Sequence, residues 1–222
     1  MKPASLPPSP WDFSPVSWPD DDCVAAGADL EPATLIEAYR SGAFPMPHED
    51  VLLWWSPLRR GVLRPGDLRI SRSLAKSVRR FTTTVDTVFA DVVEACADPA
   101  RTGAWIDAGI HDAYVRLHDL GWAHSVEVWD DGALVGGLYG VAVGGLFAGE
   151  SMFHRATDAS KVALVELVRR WSAPDEACLI DTQWSTPHLA SLGVTELART
   201  DYLTVLADLV SAPERDVWSP HT

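Results

Sequence analysis

The sequence predicts an α+β protein, with a small N-terminal unit over residues 1–58 and a mixed sheet flanked by helices over residues 59–222. Three observations lead there. An apolar, glycine-rich run begins at Leu134 and is broken by Gly144-Gly145, the pattern of two buried strands joined by a tight turn. Helix-periodic and strand-like segments then alternate to the end of the chain. Ahead of residue 58, proline-rich and tryptophan-rich segments surround a single helical pattern.

Residues 1–22 hold six prolines and the acids Asp20 to Asp22, which predicts an extended or poorly ordered arm, with Trp11, Phe13 and Trp18 available to dock. Leu30-Glu31-Pro32 starts a helix with proline in its first turn; it buries Leu35, Ala38 and Tyr39 and ends at Gly42. Trp54 and Trp55, adjacent in an extended backbone, point to opposite sides, one to the core and one to a surface or cleft. Ser71 to Phe81 reads as a short helix with Arg72, Lys76, Arg79 and Arg80 on one face and Leu74, Val78 and Phe81 on the other. Further helices are expected over 87–97 and 106–120, the second with Ile110, Tyr114 and Leu117 inward and Gly121 as its stop. A strand over 124–129, the turn Asp130-Asp131-Gly132 and the two glycine-rich strands follow. The pattern closes with a helix 158–171, a strand 177–183, a helical turn 188–192, a strand 194–198 and a helix 201–209.

Composition is that of an ordinary globular chain, 47% hydrophobic and 22% charged. No apolar run approaches the ~20 residues of a membrane span, and the start lacks an apolar signal core, so a cytoplasmic, non-membrane protein is expected, here as a monomer. Cys23, Cys96 and Cys178 have no paired spacing and read as reduced thiols. The net charge of −13 conceals a basic window: Arg59 to Arg80 holds eight basic residues against Asp67. That local patch on an acidic chain suits a polyanion; a solvated helix face is the plainer reading of four of the eight, but the absence of a carboxylate interleaved within that helix favours phosphate binding.

Six glycines between Gly136 and Gly149 call for a bulge or for close approach to a ligand or another segment. Those strands are expected to wall a substrate cleft, with Glu150 at its mouth and the helix from Asp158 closing one side. In the strand 177–183, alternation puts Leu179, Asp181 and Gln183 on one face. A carboxylate at the end of an apolar strand is costly to bury, so Asp181 either joins a site or caps a loop or pairs with an arginine. Gly149-Glu150-Ser151-Met152-Phe153 lacks the second glycine of a nucleophile elbow, no HExxH pair occurs among the seven histidines, and no GxGxxG bridges a strand and a helix.

Several blocks in order carry a resemblance: Trp54-Trp55-Ser56-Pro57, Ile70-Ser71-Arg72-Ser73-Leu74, Trp105-Ile106, His124 to Trp129, Leu134 to Gly140, Gly149 to Phe153, Ala159-Ser160-Lys161, Leu179-Ile180-Asp181 with Gln183, and Ser191-Leu192-Gly193. Together they resemble the leucyl/phenylalanyl-tRNA–protein transferases over about residues 24 to 205. The resemblance implies a C-terminal domain of the acyl-CoA N-acyltransferase-like fold. It also implies transfer of leucine or phenylalanine (methionine less well) from aminoacyl-tRNA to proteins beginning with arginine or lysine, marking them for degradation. By that pattern Asp181 and Gln183 are the catalytic pair. Tyr39, Met46, Trp105, Gly149 and Glu150 take the aminoacyl-adenosine, with Met46 standing where the family usually has tryptophan. Leu138, Phe153, Val165 and Ile180 form the amino-acid side-chain pocket, and Arg72, Lys76, Arg79 and Arg80 bind tRNA. An aminoacyl ester is already activated, so no metal and no cofactor are expected.

Two rivals are weaker. An acyl-CoA-dependent acyltransferase would cradle pyrophosphate on a glycine-bearing loop, where this chain has Arg155 to Ser160 without glycine. An RNA-binding module without activity leaves Glu150, Asp181 and Gln183 unexplained.

Overall fold

The computed structural model describes residues 2–49, 51–100, 105–172 and 177–219. A three-stranded antiparallel sheet comes first, from β1 (Cys23–Ala26), β2 (Phe44–His48) and β3 (Val51–Trp55) in the order β1-β3-β2. Helix α1 (Pro32–Ser41) lies between β1 and β2 in the chain. It starts on proline and stops at Gly42, whose left-handed φ of 91° leaves the helix as expected.

The large sheet draws on β4 (Arg59–Leu63), β5 (Thr82–Val85), β6 (Ala123–Asp130), β7 (Ala133–Val143), β8 (Leu146–His154), β9 (Leu179–Gln183) and β10 (Thr195–Ala198). Their spatial order is β10-β4-β9-β8-β7-β6-β5. Every pair is antiparallel except β8 and β9, which α5 (Ala159–Trp171) connects as a parallel pair requires. The remaining helices are α2 (Arg72–Arg80), α3 (Phe89–Cys96), α4 (Ala108–Asp119), α6 (Pro187–Ser191) and α7 (Arg199–Ser211).

Side-chain alternation divides the core in two. One apolar cluster holds Tyr39, Tyr114, Ala148, Leu179 and Tyr202, under α1, α3, α4 and α7. The other holds Leu138, Phe147, Leu164 and Ile180, under α2 and α5. The N-terminal arm is extended and docked. Ala4 pairs with Leu120 and takes a hydrogen bond from Trp122 Nε1 at 3.0 Å, and the Phe13 ring meets buried Trp54 edge-on at 4.6 Å.

Two strands of the large sheet carry no sequence signal. β4 reads Arg-Arg-Gly-Val-Leu, without alternation, and falls inside the basic window; β5 is four residues, three of them threonine. The window itself is less exposed than its composition suggests. Arg60 is buried, Arg59 pairs with Glu196, and Arg80 pairs with Asp130.

The glycine run has the two causes expected of it. A Cβ on Gly136 would lie 2.5 Å from that of Ala159, so the glycine lets α5 settle onto β7. A Cβ on Gly140 would meet the Ala148 carbonyl at 2.2 Å, at a bulge where Tyr139 opposes Ser151 and Gly140 opposes Gly149.

Candidate active site

That bulge leaves Glu150 as the extra residue of β8 and reverses the alternation after it. Phe147 belongs to the α5 side of the sheet; without the bulge Phe153 would as well, yet Met152 does and Phe153 joins the opposite cluster. Glu150 is thereby turned inward rather than standing at the cleft mouth, and is only 8% exposed.

Its carboxylate accepts a hydrogen bond from Tyr114 Oη at 2.8 Å, and Tyr39 Oη lies 2.5 Å from Tyr114 Oη. Burial pushes the Glu150 carboxyl up to about 7 against the hydrogen bonds of Tyr39 and Tyr114, which pull it down; the charge of Asp181 adds to the rise. Burial, with Glu150 next, also raises both tyrosines well above their ordinary range, so they remain donors.

On β9, pairing with β8 ends at Ala148 and Asp181. Asp181 is fully buried and saturated. Arg60 donates to it twice, from Nε at 2.8 Å and Nη2 at 2.5 Å, Tyr202 Oη at 2.9 Å, and the Gln183 amide N–H at 2.8 Å. Burial acts to lower the Arg60 pKa, but the Asp181 charge more than offsets it and the guanidinium stays protonated. Arg60 Nη1 also donates to the Gly42 carbonyl at 3.0 Å, and the guanidinium lies over the rings of Phe44 and Tyr202. The arginine pairing open to Asp181 in the sequence is thus realised, while Arg60, Tyr114 and Tyr202 are site residues that sequence reasoning did not single out. The available signal was the requirement for a cation near a buried carboxylate.

Gln183 has a left-handed φ of 58°, a strained conformation for a side-chain-bearing residue, and its Nε2 reaches Glu150 Oε1 at 3.2 Å. Where β8 and β9 part, a cavity of about 260 Å³ opens. Leu138, Phe147, Met152, Leu164, Leu167 and Ile180 make its apolar wall; Gly149, Glu150, Thr182, Gln183 and His188 add polar groups and backbone.

The structure brings Leu138, Ile180, Gly149, Glu150 and Gln183 to this cavity, with Asp181 and Tyr39 one hydrogen bond behind. Two expected pocket residues are corrected. Phe153 faces the other cluster because of the bulge, and Val165 packs on the α5-side cluster outside the lining. Met46 and Trp105 also lie outside the lining; Met46 offers its carbonyl to Trp55 Nε1, and half-buried Trp105 packs on the tyrosine-bearing cluster. On α2, Arg72, Lys76 and Arg79 are exposed and without an ion pair among the described residues.

Asp86, His118 and His124 form the one His/carboxylate group with metal-ligand spacing among the described residues. His124 Nδ1 lies 2.7 Å from Asp86 Oδ2 and His118 Nδ1 2.9 Å from the Ala123 carbonyl, so hydrogen bonds already occupy those nitrogens, and none of the three lines the cavity.

The sequence matches the profile described as leucyl/phenylalanyl-tRNA protein transferase over residues 62–207 and that of its N-terminal domain over 28–58. The chain belongs to the leucyl/phenylalanyl-tRNA protein transferase family. A member from Aromatoleum aromaticum is 50% identical over 95% of this chain and 94% of its own. One from Chromohalobacter salexigens is 55% identical over 87% of this chain and 77% of its own. Both carry the name leucyl/phenylalanyl-tRNA–protein transferase. Among solved structures, a ribosomal-protein-alanine N-acetyltransferase from Brucella melitensis aligns with a TM-score of 0.31 at 19% identity, over 40% of this chain and 70% of that one, a likeness too low to bear on function.

Proposed function

We propose that this protein moves leucine or phenylalanine, and methionine less well, from aminoacyl-tRNA to the α-amino group of proteins beginning with arginine or lysine, marking them for degradation. It works as a cytoplasmic monomer. The observation that carries the reading is the apolar cavity ending at Glu150 and Gln183, in a chain of this family whose α2 helix exposes Arg72, Lys76 and Arg79. The leucyl or phenylalanyl side chain fills the cavity between Leu138, Met152 and Ile180, and the cations of α2 hold the tRNA.

The chemistry is aminolysis of an activated ester. The incoming α-amino group, with a pKa of about 8, must lose a proton, and the tetrahedral oxyanion must be stabilised. Asp181 has four donors on its two oxygens and no free position for a substrate proton. Its part in the catalytic pair is to hold the backbone of Gln183, whose amide orients the reacting groups. Glu150, when ionised, attracts the ammonium and accepts its proton, a transfer suited to a pKa of about 7; collapse of the tetrahedral adduct then breaks the ester C–O bond, and the tRNA ribose oxygen leaves with that proton. No covalent enzyme intermediate is required.

Radiolabelled leucyl-tRNA supplied with one protein beginning with arginine and one beginning with aspartate tests this. Label entering only the first is expected; label remaining on tRNA with both would overturn the reading.

A further inference from the structure

A second hollow adjoins the cavity. His154 at the end of β8, Arg155 to Asp158 in the turn after it, Ser160 and Lys161 in α5, and His188 of α6 line it. Met152 and His188 belong to both hollows, so the two meet along that pair. On its far side it borders α2, where Ser77 Oγ donates to Asp158 Oδ2 at 3.1 Å. On the α2 surface Ser77 stands between the buried row and the row of Lys76 and Arg80. The hollow therefore lies between the cationic helix and the place proposed for the amino acid.

Its chemistry is that of an anion site. His154, Lys161 and His188 surround one acid, Asp158, on a protein of net charge −13. Both oxygens of that acid are engaged, Oδ1 by Lys161 Nζ at 2.8 Å and Oδ2 by Ser77, which leaves the other donors of Lys161 Nζ and the rings of His154 and His188 to face the hollow. The Arg155 guanidinium is directed to the other face of the sheet: it lies over the Phe153 ring, donates to the Leu134 carbonyl and borders a separate hollow with Asp91 and Glu94 of α3. Burial first, then the charges of Lys161 and His154, lower the His188 pKa against the pull of Asp158, so its ring meets the hollow as a neutral hydrogen-bonding group.

Resting on the transferase reading, we propose that this hollow binds the phosphodiester immediately 5′ of the terminal adenosine of the donor tRNA. A strand held by α2 at one place and by its esterified end in the cavity must carry its backbone over the ground between. That ground is this hollow. A phosphate there fixes the register of the strand without reading its sequence.

Two minimal donors test it: leucyl-adenosine, which lacks that phosphate, and leucyl-cytidylyl-adenosine, which carries it. The His154 side chain is exposed and makes no hydrogen bond among the described residues, so His154→Ala leaves the fold intact; His154→Ala/Lys161→Ala is the stronger variant. Wild-type protein should use the dinucleotide donor with a KM roughly tenfold below that of leucyl-adenosine. The double variant should lose that advantage while keeping wild-type kcat and KM with leucyl-adenosine. Its KM for leucyl-tRNA should rise, with the log–log salt slope shallower by about 0.7 per lost contact. An advantage retained in the double variant, or an equal loss with both donors, would overturn the proposal. Inhibition by inorganic phosphate that the variant loses while keeping the dinucleotide advantage would assign the hollow to a free anion, and overturn it too. Wild-type protein inert with leucyl-tRNA would overturn the transferase reading itself.

Discussion

Gln183 owes its position to three residues outside the cavity wall: Asp181 takes its backbone N–H, and Arg60 and Tyr202 fix Asp181. The consequences of substitution therefore separate. Gln183→Ala removes a side chain whose one hydrogen bond among the described residues goes to Glu150, so the fold should persist while single-turnover transfer falls about a hundredfold or more. Asp181→Asn leaves the buried Arg60 charge uncompensated, and urea denaturation should show a loss of about 3–5 kcal/mol along with activity. Normal stability in Asp181→Asn would contradict the positioning role. Glu150 supplies a pH test. Its folded pKa, about 7, lies above the ordinary value, so the folded state binds more protons than the unfolded chain between the two. Stability then falls as pH rises through that window, by on the order of 3 kcal/mol if the whole shift is expressed. Glu150→Gln should remove this slope from thermal denaturation curves recorded between pH 5 and 8. An unchanged slope would place the titrating group elsewhere.

At the scale of elements, the bulge between β7 and β8 decides which side chains meet. Gly140→Ala would press a Cβ against the Ala148 carbonyl at 2.2 Å, with an expected cost of about 1–3 kcal/mol by thermal melting and a raised KM for the aminoacyl donor as Glu150 is displaced. A melting curve and KM both like wild type would show that the bulge absorbs the methyl group. This element also marks the limit of what the sequence discloses. The β7–β8 hairpin, the strand ending in Asp181 and Gln183, the Pro32-to-Gly42 helix and the cationic face of α2 were all legible, since each has a periodicity or a capping residue. A one-residue bulge leaves period-two alternation intact on paper, so nothing local to Phe153, which the resemblance implied for the side-chain pocket, shows that it faces the opposite cluster. Arg60 was counted with the basic surface because nothing local distinguishes a buried arginine from an exposed one; its partner lies 121 residues away.

Across the whole molecule, the N-terminal sheet and the large sheet meet at the site. Arg60 of β4 reaches back to the Gly42 carbonyl while holding Asp181, and Tyr39 of α1 hydrogen-bonds into the Glu150 network. The groups of the candidate site therefore depend on both parts of the chain being in register. The proposed function puts the aminoacyl end of the donor in the cavity between β8 and β9. The most direct measurement is a crystal structure with a non-hydrolysable leucyl-adenosine amide. The leucyl side chain is expected among Leu138, Met152 and Ile180, with the reacting carbonyl beside Gln183 and Glu150. An analogue bound with its leucyl group outside that cavity would contradict the account.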